Sequence, residues 1–160
     1  MSDPLTTYIH DHLAGAVTAI DLLQTMRDRH AGHPLGRFAA QLLAEIEADH
    51  KVLQGLAARL GAGPNVLKGA TAWLGEKVSR FKLGRRAAGD LGTFQSLEVL
   101  ALGILGKLSL WRALGVVAVG DARLGGMDFN QLAARAQAQH ARVEEQRLAI
   151  AWTALRARPR

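Results

Sequence analysis

Three stretches of this chain repeat apolar residues at spacings of three and four and a fourth is apolar almost throughout, and each is long enough for about seven turns of helix at 3.6 residues per turn. In residues 4–30, Ile9, Leu13, Ala16, Ile20 and Leu23 form one apolar face. Pro4, after Ser2 and Asp3, suits the first helical position, where its missing N–H costs no intrahelical bond. His30, Ala31, Gly32, His33 and Pro34 then interrupt the pattern, because glycine accepts left-handed geometry and proline cannot donate into a continuing helix. So short a turn lays the next helix antiparallel to the first. Residues 35–60 carry the stripe Leu42, Ile46, His50, Leu53, Ala57 and Leu60, closed by Gly61, Gly63 and Pro64. Thr93 is expected to cap a third helix over 93–119. Asp128 is expected to cap a fourth over 128–156, with Phe129, Leu132, Ala136, Val143, Ile150 and Ala154 turned inward. No strand pattern competes, and 160 residues suffice for one domain, 1–160, around one core.

The stretch between the second and third helices differs in composition. Ala70, Trp73, Leu74, Lys77, Val78 and Phe81 have helical spacing, which predicts a short helix over 66–82 within a long crossover. Residues 1–63 hold 5 basic and 7 acidic side chains and residues 64–90 hold 6 and 2, so much of the net charge of +6 gathers in the crossover. Lys77, Arg80, Lys82, Arg85 and Arg86 are a candidate anion-binding patch, with a solvated surface as the plain alternative. An acidic first half makes nucleic acid an unlikely partner and leaves an anionic membrane surface as the one to weigh. Residues 97–119 are apolar except for Glu98, Lys107, Ser109 and Arg112. A membrane span of that length would have to bury Lys107 and Arg112, at about 2.5–3.5 kcal/mol each near its centre. A central bundle helix explains the same run, so the expected location is cytoplasmic, with membrane association as the variant. Met1–Leu5 agree, since they lack the basic start and apolar run of a signal peptide.

The chain has no cysteine, so disulfides, thiolate nucleophiles and thiolate metal sites are excluded. Phosphate-loop, dinucleotide and nucleophile-elbow motifs are absent as well. Any metal must therefore sit on His, Asp or Glu. Glu47 and His50, three apart on helix two, share a helical face and can grip one ion. With the first turn centred near His33, Asp21 falls level with Glu45, within a turn of both.

This constellation resembles the ferritin-like di-iron carboxylate bundles, all-α antiparallel four-helix bundles with a Glu on helices one and three, a Glu-x-x-His on helices two and four, and often a long crossover in the middle. The resemblance implies Asp21 as the first-helix ligand and Glu47 with His50 as the second-helix motif. Helix four departs from the pattern: Gln137, Ala138, Gln139 and His140 keep the histidine and replace its carboxylate by an amide. Reflection through a turn centred near Arg123 puts His140 level with Gly106, beside the cation Lys107. Three readings stay open. Asp21, Glu47, His50 and His140 hold a single Fe, Mn or Zn ion, giving a metal-binding or redox-protective protein. Alternatively, Lys107 replaces the metal and neutralises Asp21 and Glu47 as a buried ion pair. In the third, these are scattered polar positions on helix flanks. The functional alternative to a metal site is a non-enzymatic helical interaction module whose basic crossover and C-terminal tail contact an anionic membrane surface or nucleic acid. Self-association through apolar faces, giving a homo-oligomer, is expected in each case.

Overall fold

The structure, a computed structural model, describes residues 3–61 and 89–157, which form an all-α four-helix arrangement. Its helices are α1 (Pro4–Arg29), α2 (Pro34–Arg59), α3 (Asp90–Val117) and α4 (Phe129–Leu155), with a single 3-10 turn at Ala122–Leu124. The expected helix over 66–82 and the basic cluster of Lys77, Arg80, Lys82, Arg85 and Arg86 lie outside the described residues.

Local chemistry sets most helix ends. The Asp3 side chain accepts from Leu5 N at 3.4 Å, and Pro4 occupies the first turn. Pro34 opens α2, and the Asp128 side chain caps α4 by accepting from Gln131 N at 2.9 Å. The third helix is placed differently from expectation. Gly89, at φ 83°, is its N-cap, and Asp90 puts a negative charge against the helix dipole in the first turn. Thr93 therefore lies inside the helix, its hydroxyl donating to the Gly89 carbonyl at 3.3 Å.

Helices α1 and α2 form one antiparallel hairpin and α3 and α4 another, with α1 beside α3 and α2 beside α4. The ends show their directions. Thr93 Oγ1 stands 3.4 Å from His30 Nε2 at one end of the bundle, and Arg123 Nη1 donates to Asp3 Oδ2 at 2.9 Å at the other, so α1 and α3 run antiparallel. Arg59 Nη1 donates to the Gly125 carbonyl at 3.1 Å, which places the end of α2 at the α3–α4 turn. Helices α2 and α3 therefore run in the same direction, and Gly61 and Gly89 stand at opposite ends of the bundle.

Between the hairpins, Leu13, Leu23, Leu42, Leu56, Leu97, Leu100, Trp111, Leu114, Ala136 and Val143 form one continuous core with their neighbours. Each helix supplies its share through a three-and-four stripe. Helix α3 is long and apolar enough to cross a membrane by length and composition alone; here its buried side, with Leu97, Leu100, Ile104, Trp111 and Leu114, packs in the core, while Leu102, Leu105 and Val116 stay exposed.

Helix α2 begins against the end of α1 with no room to spare. A Cβ built on Gly36 would lie 2.1 Å from the His30 carbonyl oxygen, whereas one built on Gly55 meets nothing within 4 Å. Gly36→Ala is expected to lower stability by about 1–3 kcal/mol through backbone displacement. Gly55→Ala, at an exposed position inside the same helix, is expected to raise it by up to about 1 kcal/mol. Thermal melts of the two variants check the pair.

Candidate functional site

A polar cluster lies halfway along the bundle, where three apolar stripes each give up one position. On α2 the buried stripe Leu42, Ile46, Leu53, Leu56 is interrupted by Asp49, and on α4 the stripe Leu132, Ala136, Val143 is interrupted by Gln139. Lys107 takes the same place on α3, between Ile104 and Trp111. The side chain of Asp49 is 2% exposed and Gln139 is fully buried, so both need internal partners.

They find those partners in one another. Lys107 Nζ donates to Asp49 Oδ2 at 2.5 Å and also to Gln139 Oε1. The amide nitrogen of Gln139 donates to Glu45 Oε2 at 3.0 Å and reaches Asp49 Oδ2 at 3.4 Å. Arg135 of α4 donates to Asp49 Oδ1, and Arg142, one helical level on, donates to Glu45 Oε2 at 2.6 Å. Three cations thus meet two carboxylates across α2, α3 and α4, with Gln139 as the neutral link. Burial pulls the Lys107 ammonium below its ordinary 10.5, and the Asp49 carboxylate opposes that pull. At Glu45 burial acts upward, but the hydrogen bonds from Arg142 and Gln139 outweigh it and hold the carboxyl below its ordinary 4.5.

The residues singled out from the sequence are placed around this cluster and not together within it. Asp21 is on the exposed side of α1. Glu47 is half-buried on α2, two positions from Asp49 and so about 200° around the helix from it. His50 and Lys107 border a cleft between α1, α2 and α3 together with His12. His140 faces a different groove, on the outside of the α3–α4 hairpin beside Glu98 and Arg147. Lys107 is a buried cation as the second reading has it, but its carboxylate is Asp49, and neither Asp21 nor Glu47 bonds to it. Among the described residues, no three His, Asp or Glu side chains converge as a metal site.

Asp49, Gln139, Arg135 and Arg142 were given no role in the sequence reading, although Gln139 stands inside the Gln137 to His140 segment. The first two could have been found there. A lone polar residue inside a three-and-four apolar stripe marks a buried polar position, and both interrupt such stripes. The arginines carry no comparable mark, because their stems leave α4 at its exposed edge.

The cleft beside Lys107 measures about 100 Å³ and is mostly apolar, with Gly15, Ala16, Leu53 and Leu110 in its walls. His12 and His50 at its edge are both held below the ordinary 6.5 by burial, with Asp11 and Glu47 respectively pulling the other way. Comparison of the chain with protein-family models, curated proteins and solved structures finds no match.

Two predictions follow from this geometry. Lys107→Met leaves Arg135 as the one cation on the buried Asp49, and is expected to cost about 3 kcal/mol, the scale for breaking a buried ion pair. Replacing the buried trio together, Asp49→Leu, Lys107→Met and Gln139→Leu, is expected to recover most of that loss, because no buried charge then lacks a partner. Denaturant titration of both variants measures the difference. The second concerns pH. His12 and His50 bind protons more weakly folded than unfolded, so stability is complete above about 6.5 and falls as the pH drops through their folded values. Glu45 extends the loss below 4.5, where the unfolded chain protonates first. The melting temperature is expected to fall between about pH 7 and about pH 5, and to fall less in His12→Asn/His50→Asn.

Proposed function

We propose that the chain is a ferritin-like bundle in which a fixed ion-pair network stands where that superfamily holds its metal ions, and that it works as a non-enzymatic interaction module. The observation that carries this reading is the Lys107 ammonium seated between Asp49 and Gln139 at the centre of the bundle. The paired hairpins, with α2 and α3 running in one direction, support the ferritin-like half. The electrostatics support the metal-free half. With Lys107, Arg135 and Arg142 against Glu45 and Asp49, the cluster carries a net charge of +1, and a divalent ion would have to displace a charge-paired lysine to enter it. The space beside this cluster is small as well. A cleft of about 100 Å³ is below the 300–1,000 Å³ usual for small-molecule sites.

The single-metal, redox-protective reading differs in a measurable way. Tag-free protein incubated with Fe(II), Mn(II) or Zn(II) and desalted is expected to retain far less than one ion per chain, and Glu47→Ala and His50→Ala are expected to change nothing. Stoichiometric metal lost in either variant overturns the proposal and restores a centre built on Glu47 and His50.

A further inference from the structure

The outer side of the α3–α4 hairpin is apolar in a pattern that the described fold does not use. Only 39% of the most apolar stretch of α3 is buried within the chain, too little for a helix that serves only its own core. Its outward residues are Leu91, Gln95, Glu98, Leu102, Leu105, Ser109, Arg112 and Val116, at alternating spacings of four and three. This spacing traces one outward face of the helix, with Leu91, Leu102, Leu105 and Val116 apolar and Gln95, Glu98, Ser109 and Arg112 polar between them. Leu102 and Leu105 are 62% and 40% exposed at its middle, and Val116 is 76% exposed near one end. Beside it on α4, Leu148, Trp152 and Leu155 are all exposed, Trp152 at 72%. Exposed apolar surface of this extent marks a contact surface.

We propose that a second copy of this chain covers this face, with α3 packed antiparallel on α3 of the partner about a two-fold axis between Leu102 and Leu105. The order of residue types along the seam selects this arrangement. About that axis each residue meets the one for which the two numbers sum to 207. Leu102 then meets Leu105 of the partner subunit, Leu91 meets Val116 of the partner subunit, and Gln95 meets Arg112 of the partner subunit. Glu98 falls three residues, about 4.5 Å, from the level of Arg112 of the partner subunit, within reach of an arginine side chain. Arg112 has no ion pair among the described residues, and the Glu98 side chain is 52% exposed despite its contact with Arg147. A parallel pairing would instead set Glu98 on Glu98 and Arg112 on Arg112, which like-charge repulsion disfavours.

The flanking surfaces match under the same operation. In the α3–α4 hairpin Lys107 meets Gln139 and Glu98 meets Arg147, so Trp152 stands near the level of residue 94. The two-fold carries that level to residue 113 of the partner. There an open groove lies between α3 and the start of α4, walled by Val116, Val119, Met127 and Phe129. Trp152 of each copy is thus the knob, and this groove of the other the hole, in an isologous contact that closes at two subunits. The seam from Leu91 to Val116 is about 38 Å long at 1.5 Å per residue.

This deepens the interaction-module reading by naming its partner, and the two can fail separately. A monomer overturns the dimer and leaves the metal-free centre standing, whereas metal uptake does the reverse. Sedimentation of the full chain at micromolar concentration is expected to show a dimer, and Leu105→Asp and Trp152→Ala are expected to weaken it at least tenfold with unchanged helix content. Because the chain has no cysteine, single substitutions report the axis directly. Leu105→Cys lies near the two-fold and is expected to cross-link through a short bismaleimide. Ser109→Cys, about 16 Å from its own copy along the helix, is expected not to. Efficient cross-linking at both positions means a parallel contact and overturns the proposal. A dimer insensitive to Leu105→Asp, or a monomer that binds phosphatidylglycerol vesicles through this face, overturns it as well.

Discussion

The organisation of the bundle turns on one buried charge pair, Lys107 with Asp49. Without this pair and the Gln139 amide that joins it, the inward stripes of α2, α3 and α4 would be apolar at this level. An apolar stripe alone tolerates a shift by a heptad, since every leucine finds another leucine. A lysine that must meet both an aspartate and a glutamine admits only one axial alignment of the three helices, because any other leaves a buried polar group without a partner. Arg135 and Arg142 reinforce that alignment from the solvent edge, where they remain hydrated and each contributes little to stability.

The same pair governs what the centre can do. A carboxylate whose oxygens are already engaged by ammonium and guanidinium groups can take a metal ion only by giving up those partners, and burial makes their displacement costly. The polar middle of a helical bundle is often where chemistry is housed. Here it is saturated internally, and the apolar cleft next to it is small. Exposed apolar side chains, Leu102, Leu105, Leu148 and Trp152 among them, lie instead on the outside of the α3–α4 hairpin.

Much of the fold could be read from the sequence. The stripes of α1, α2 and α4, the breaks at Gly32 and Pro34, the Asp128 cap and the α3–α4 turn near Arg123 are local, and local rules carried them. The start of α3 was misplaced because a threonine resembles a cap in sequence, while Gly89 with its positive φ does the work. The candidate site was less legible. The Glu47 and His50 spacing drew attention to one side of α2, whereas the side chain that matters is two positions on. A shift of two residues turns a helical side chain by about 200°, enough to exchange the surface for the core.

The sequence by itself determined that this chain forms four long helices in two hairpins, three of them amphipathic and the third in order apolar along most of its length. It also determined that its chemistry must use carboxylates and imidazoles without thiols, and that Lys107 stands at the level of helix four's polar residues. Those properties depend on spacing along one chain or across one short turn. Which carboxylate Lys107 meets was decided only when the second hairpin closed on the first, because that choice depends on rotation about helix axes that no local pattern specifies. Tertiary packing assigned Asp49 and Gln139 to the centre, and left Asp21 and His140 facing outward.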